Sequence, residues 1–204
     1  ALKRENVNNY LLINEAKIYN KLKYIKNVAK MIDYFVYSDT CCIILEYYNS
    51  NLSEFKKENY NNSNYYNNIN KMFSIILNSI EKIHNIGIVH RDLKPSNICI
   101  KNNEPFLIDF GLSKIIINNN FHIEERKIHN IIGSPNYISI NVEKLIEPTR
   151  RDDIASLLYI YIFMLINSHD EKYIYNCKHD INNIKNIINI INNIDNILLI
   201  NKYI

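Results

Sequence analysis

Asp92, Lys94 and Asn97 stand within one short stretch, residues 88–100, that reads Ile-Val-His-Arg-Asp-Leu-Lys-Pro-Ser-Asn-Ile-Cys-Ile. An apolar entry and an apolar exit frame a polar turn. A carboxylate in such a turn can orient an attacking hydroxyl, and an ammonium just beyond it can offset the charge of an anionic group in transit. An amide oxygen can hold a divalent cation. Phosphoryl transfer has these needs, because it leaves a protein little covalent work beyond positioning and charge stabilisation. A second carboxylate, Asp109, ends the apolar run 106–108 and is followed by Phe110 and Gly111. A lone Asp-Phe-Gly is a weak signal, since an isolated Asp is most often a solvated loop residue or a helix cap. Here the two groups occur in order, separated by one short hairpin: strand 98–100, a turn at 101–104 and strand 106–108.

Several elements must position these groups. Lys3 lies in the opening Ala1-Leu2-Lys3, and Glu15 lies in an amphipathic stretch, 10–22. Residues 28–37 and 40–47 read as two antiparallel strands joined by a Ser38-Asp39 turn, the second running into Glu46-Tyr47-Tyr48. Residues 59–70 are a low-complexity Asn/Tyr segment, expected as a solvated loop. Met72, Phe73, Ile76, Ile80 and Ile83 then recur at helical spacing and should face a core. The charge run Arg150-Arg151-Asp152-Asp153 precedes an apolar helix expected over 154–166, and such a run is usually a solvated helix start. Past residue 167 the spaced isoleucines Ile184, Ile187, Ile188 and Ile191 suggest one or two further helices.

The 204 residues suffice for one sizeable domain or two small lobes sharing a cleft. A net charge of +3, mixed in sign along the chain, argues for neither a nucleic-acid nor a membrane partner. The longest apolar run, 157–166, is too short to span a bilayer and reads as a helix buried on all sides. No signal peptide is visible. The four cysteines (Cys41, Cys42, Cys99 and Cys177) have no metal-binding spacing and read as reduced thiols, which fits an intracellular compartment, cytoplasmic or nuclear. Isoleucine and asparagine dominate the composition and glycine is scarce, a bias we attribute to A/T-rich codons.

The paired motifs, His90-Arg91-Asp92 with Lys94 and Asn97, then Asp109-Phe110-Gly111, resemble the catalytic loop and metal-binding segment of eukaryotic serine/threonine protein kinases. Within that group the chain is similar to the casein kinase one family and its vaccinia-related and poxviral relatives. Ser139-Ile140-Asn141 stands where most kinases carry Ala-Pro-Glu, and Arg150-Arg151-Asp152-Asp153 follows. His122-Ile123, Arg126 and Asn130 fall at family-like spacing before Gly133. The resemblance covers residues 1–166. It implies an α+β, two-lobed fold: residues 1–48 a partial small lobe of antiparallel strands, one helix and the hinge, and residues 49–204 a mainly helical large lobe. It implies ATP and Mg²⁺, and a protein substrate offering Ser or Thr.

The resemblance also implies roles. Lys3, paired with Glu15, would hold the ATP phosphates. Leu45 would back the adenine pocket, the backbone of Glu46 and Tyr48 would bond the adenine edge, and Cys99 would form the floor. Asp92 would orient the hydroxyl, Lys94 would stabilise the group in transfer, and Asn97 and Asp109 would hold the metal. Asp153 would hold the backbone of the catalytic loop, and Arg91 would bind a phosphate added to the activation segment, with Ser134 the nearest candidate. All three glycines, Gly87, Gly111 and Gly133, fall where this reading wants them. Asn136 replaces the family's phosphate-reading arginine, which argues against a preference for phosphorylated substrates. The strands that carry a glycine-rich phosphate loop would precede Ala1. Two rival readings follow: a truncated or degenerate kinase that acts as a binding module, and a small-molecule kinase of the aminoglycoside or choline type. Lys94 and the Asp109-Phe110-Gly111 run argue against the second.

Overall fold

The computed structural model describes residues 1–6, 10–118, 121–122 and 124–179. The α+β expectation is met: a small antiparallel sheet with one helix leads into a mainly helical part. Strands β1 (Leu2–Asn6), β2 (Met31–Tyr37) and β3 (Thr40–Leu45) form that sheet in the order β1-β3-β2. The turn between β2 and β3 is Ser38-Asp39, as the sequence suggests, with Ser38 at φ 52° supplying the left-handed residue of a tight hairpin. Helix α1 (Leu11–Leu22) lays Leu12, Ala16, Ile18, Tyr19 and Leu22 against the sheet, and its same buried face carries Glu15. The side chains of β1 alternate, so Lys3 and Glu5 turn inward while Leu2 and Arg4 face solvent. Glu5 accepts the Leu12 N–H at 2.8 Å, satisfying one of the orphan donors at the start of α1.

Two strand boundaries differ from the expectation. Residues 28–30 are not part of β2: Val28 bridges to Leu107, and the Ala29 N–H donates to the Leu107 carbonyl at 2.9 Å. The cause is Asn27, left-handed at φ 65°, whose buried amide donates to the Pro105 carbonyl at 2.9 Å and diverts the chain toward a later hairpin. Strand β3 ends at Leu45, leaving Glu46, Tyr47 and Tyr48 as an extended link.

After the link come β4 (Ser50–Asn51), helix α2 (Leu52–Asn59) and the long helix α3 (Tyr65–Asn85). Asn51 and Glu54 cap α2 reciprocally, each side chain accepting the other's backbone N–H. The sequence expectation of a loop over 59–70 fails from Tyr65 onward. Tyr65 and Ile69 are fully buried, the Tyr65 hydroxyl donates to the Met164 carbonyl at 2.8 Å, and Asn70 accepts from Tyr161. Burial of those anchors overrides the local turn preference of asparagine. The stripe Met72, Phe73, Ile76, Ile80 and Ile83 is buried as expected.

Strand β5 (Ile88–Val89) opens the stretch that carries Asp92, Lys94 and Asn97 and pairs with β8 (Lys114–Ile115). Strands β6 (Ile98–Lys101) and β7 (Glu104–Leu107) form the expected hairpin, with Asn102 and Asn103 both left-handed in its turn. A two-stranded ribbon, β9 (Ile117–Asn118) with β10 (Phe121–His122), and a short helix, α4 (Ile140–Glu143), follow. Helix α5 (Arg150–Leu165) begins earlier than its apolar run, because Asp152 accepts the Thr149 N–H at 2.7 Å and caps it. That helix is buried along most of residues 157–166, although Leu158 reaches solvent. Lys56 donates to the carbonyls of Phe163 and Ser168, so the C-terminal end of α5 meets a cation. Helix α6 (Lys172–Lys178) closes the described chain, and the isoleucines from Ile184 onward lie outside the described residues. No helix among the described residues is long and apolar enough to cross a membrane, and all four cysteines are free thiols.

Candidate active site

The polar turn after β5 is held from below by one buried carboxylate. Asp153, in the first turn of α5, accepts the His90 N–H on Oδ2 at 2.8 Å and the Arg91 N–H on Oδ1 at 2.9 Å. His84, at the end of α3, meets the same Oδ2 at 2.9 Å. These bonds hold Arg91 in the left-handed region, at φ 69°, where a non-glycine residue is otherwise uncommon. His90 is fully buried. Its Nδ1 accepts the Asp92 N–H at 3.3 Å and its Nε2 meets the Ile108 carbonyl at 3.1 Å, so the proton is assigned to Nε2.

On this platform the side chains converge. Asp92 Oδ2 accepts from Lys94 Nζ at 2.9 Å and from Asn97 Nδ2 at 3.2 Å, while Oδ1 accepts from the Ser134 hydroxyl at 2.7 Å. Lys94 also reaches the Ser134 oxygen, at 3.1 Å. Ser134 can come so close because the preceding residue is Gly133, at φ +100°. A Cβ there would lie 2.6 Å from the Arg91 carbonyl oxygen. Asn97 donates its second bond to the Asp92 carbonyl at 2.9 Å, which leaves its side-chain oxygen as the acceptor.

Asn97 and Asp109 sit at the two open ends of the β6–β7 hairpin. Ile98 pairs with Leu107, and the Ile108 N–H donates to the Asn97 carbonyl at 3.0 Å. Asp109 is left-handed at φ 63°, and its N–H donates to the Tyr19 hydroxyl at 3.1 Å. Phe110 is fully buried, edge-on to the Tyr19 ring (centroids 5.2 Å) and 4.7 Å from the His90 ring. The two oxygen donors suit a hard cation such as Mg²⁺. Among the described residues no group of three or more Asp, Glu, His or Cys closes around one position.

Across the cleft, Lys3 Nζ donates to both Glu15 oxygens at 3.0 Å and to Asp109 Oδ1 at 2.7 Å. Burial works against the Lys3 charge, but the two carboxylates outweigh it and raise its pKa. For Asp109, burial likewise opposes ionisation and Lys3 overrides it, so its carboxyl titrates below the usual range. Glu15 is almost fully buried and desolvation keeps its carboxyl raised in spite of Lys3. These groups, with Asp92, Gly111 and Leu112, line a cleft of about 310 Å³.

The link region lies farther along. Leu45 is buried, and the Glu46 N–H is already committed to the Lys30 carbonyl at 2.9 Å, which leaves the Glu46 carbonyl and the Tyr48 N–H unbonded among the described residues. The Glu46 carboxylate binds Lys101 at 2.5 Å and accepts from the Tyr48 hydroxyl at 3.2 Å, and the Tyr48 ring packs on Phe106. Cys99 pairs across the hairpin with Phe106, half-buried, and burial pushes its thiol up to about 11.

The structure brings together Lys3, Glu15, Asp92, Lys94, Asn97, Asp109 and Ser134, but it does not join Ser134 to Arg91. The Arg91 guanidinium instead donates to the Leu112 carbonyl at 2.6 Å and to Glu147 at 3.4 Å. Sequence reasoning missed Glu147, Tyr19, His84 and Lys178. Lys178 donates to the carbonyls of Pro135 and Ile138, at 2.9 and 2.6 Å, and holds the segment after Gly133 from beneath. Each acts through partners distant in sequence, so no local spacing announces it. Asp152 explains why Ser139-Ile140-Asn141 and the Arg-Arg-Asp-Asp run occur together: it accepts from the Ser139 hydroxyl at 2.5 Å while capping α5.

Comparison with known proteins agrees with this geometry. A model of the protein kinase domain matches residues 2–202. A probable casein kinase I homolog of Encephalitozoon cuniculi is 31% identical over 159 residues, which cover 75% of this chain and 48% of the relative. The chain thus spans about half the length of the curated relative it matches.

Proposed function

Since the chain belongs to the protein kinase family and is related to casein kinase I, we propose that it transfers the γ-phosphoryl group of Mg-ATP to a serine or threonine hydroxyl of a protein. The observation that carries this reading is the single hydrogen-bonded set of Asp92, Lys94 and Asn97, facing the Lys3–Glu15–Asp109 cluster across one cleft. In this reading Asp92 orients the incoming hydroxyl and receives its proton, and Lys94 offsets charge on the group in transfer. Lys3, steered by Glu15, exchanges its bond to Asp109 for one to a phosphate oxygen. Asn97 Oδ1 and the Asp109 carboxylate would hold Mg²⁺, which would supply neutralisation of phosphate charge. Glu46, Tyr48, Leu45 and Cys99 form the adenine end, and Tyr48 marks the boundary between a small lobe, 1–48, and a large lobe that begins at residue 49. The free thiols support a reducing, intracellular setting.

The test is transfer of radiolabel from γ-labelled ATP to acidic and basic generic protein substrates, followed by phosphoamino-acid analysis. Label on serine or threonine above the level of Asp92→Asn supports the proposal. No transfer above that level, or label on tyrosine alone, rejects it.

A further inference from the structure

Glu147 lies between α4 and α5, in a stretch without regular structure, and its side chain is nearly buried (7% exposed). Three cations converge on it. Lys114 Nζ donates to Oε1 at 2.5 Å, Arg126 Nε to Oε2 at 2.7 Å with Nη2 at 3.4 Å from Oε1, and Arg91 Nη1 to Oε1 at 3.4 Å. These cations come from three places: the catalytic turn itself, strand β8 and the segment ahead of Gly133. The backbone ties these segments together. The Glu147 N–H donates to the Arg126 carbonyl at 2.9 Å, the Ile128 N–H donates to the Leu145 carbonyl at 2.8 Å, and Lys127 bridges antiparallel to Ile146. Leu145 adopts φ 62°, a conformation costly for a branched residue, to turn the chain into this position.

We propose that Glu147 is a positioning residue for the catalytic loop: its carboxylate fills the cationic pocket of Arg91, Lys114 and Arg126 as an anion supplied by the chain, and through Arg91 it fixes where Asp92 stands. Arg91 is the residue immediately before Asp92. Its main chain is fixed by Asp153 and its guanidinium by Leu112 and Glu147, so a change at Glu147 loosens one of the two side-chain anchors of the residue that precedes Asp92. The direction of titration agrees: although burial opposes the charge, Arg126 and Lys114 hold the Glu147 carboxyl below its ordinary range. Three cations on one carboxylate leave the pocket with surplus positive charge. Removal of the carboxylate should therefore leave a built site for an oxyanion.

The kinetic arm of the test rests on the proposed phosphoryl transfer, and the binding arm does not. Glu147→Gln, which keeps shape and loses charge, should lower kcat by about 10- to 100-fold with KM for ATP changed by less than about threefold, and Glu147→Asp should recover most of the loss. In Glu147→Ala, millimolar sulfate should bind by calorimetry and raise Tm. It should do neither in the unchanged chain nor in Glu147→Ala combined with Arg126→Ala. Wild-type kcat in Glu147→Gln would overturn the proposal, as would equal sulfate binding in Glu147→Ala and the unchanged chain. If the unchanged chain transfers no phosphate, the proposed function falls and the sulfate titration still decides whether the Glu147 carboxylate fills the cationic pocket.

Discussion

The cradle beneath the polar turn of Asp92 and the charged cluster across the cleft use the same kinds of residue under opposite conditions. Asp153 is only 2% exposed and spends both oxygens on main-chain N–H groups and His84. Asp109 is 38% exposed, as is its partner Lys3 at 36%, and their bond is between side chains that a phosphate or a cation could replace. Burial makes a carboxylate a structural fixture, since loss of one partner strands the others without water. Partial exposure makes it exchangeable, because water screens the pair and can enter when the partner leaves. The lesson is that the two regions should fail differently, the cradle by unfolding and the cluster by loss of ligand.

The sharpest way to break that contrast is Asp153→Ala. Two backbone N–H groups and His84 would lose their acceptor, and we expect a loss of about 4 kcal/mol in unfolding free energy, read from urea denaturation. A variant within about 1 kcal/mol of the parent would show that the cradle is not what holds the turn. Next is Asp92→Asn, which keeps the shape and one acceptor oxygen and removes the charge that faces Lys94. Phosphoryl transfer should fall by at least about 10²-fold while Tm and ATP affinity hold, as expected for a group that touches the hydroxyl and not the nucleotide. Undiminished turnover would remove Asp92 from its role.

A smaller effect is expected at Asp109→Asn, about tenfold weaker binding of Mg-ATP, with nucleotide affinity in EDTA unchanged. The same variant sharpens the comparison through pH. Because the folded pKa of Asp109 is depressed, its ionised form stabilises the fold above the ordinary value of 3.8, and that contribution disappears as pH falls through the lowered folded value. The parent should therefore lose Tm faster than Asp109→Asn on acidification below about pH 4. The difference should be well under about 1 kcal/mol, given the exposure of the pair. Parallel acid limbs would mean that Lys3 does not hold Asp109 in solution. The least change is expected at Cys99, whose raised thiol should react slowly near neutral pH and more slowly still with ATP bound. Labelling indifferent to nucleotide would place Cys99 in the core and away from the adenine.

How much of this was legible in the sequence follows from how far apart the interacting residues are. Asp92, Lys94 and Asn97 lie within one short stretch, so their proximity can be read from their spacing even though Asp153 holds the turn. Asp109 is one hairpin away and Asp153 belongs to a recognisable charge run, so both could be named before any fold was known. Glu147 could not, because its partners come from three segments and a single glutamate before a proline carries no periodic signal. The extra turns at the start of α3 were hidden for a different reason. Asparagine favours turns locally, and only the burial of Tyr65 and Ile69 against α5 tips that stretch into a helix. The diversion of residues 28–30 toward Leu107 is tertiary in the same sense, set by the Asn27 amide and not by strand propensity.

The β6–β7 hairpin has a consequence for how the molecule tolerates change in length. Its turn, Asn102-Asn103, can lengthen at modest entropic cost, because the ladder from Ile98↔Leu107 to Lys101↔Glu104 sets the spacing of the two ends on its own. One residue inserted inside either strand would instead reverse every side chain beyond it and turn Asn97 or Asp109 away from the cleft. Drift in gene length is therefore expected at the tip and excluded from the arms. The pair that would hold the metal can also assemble from a single short-range ladder, early in folding, before the distant partners of either residue have arrived.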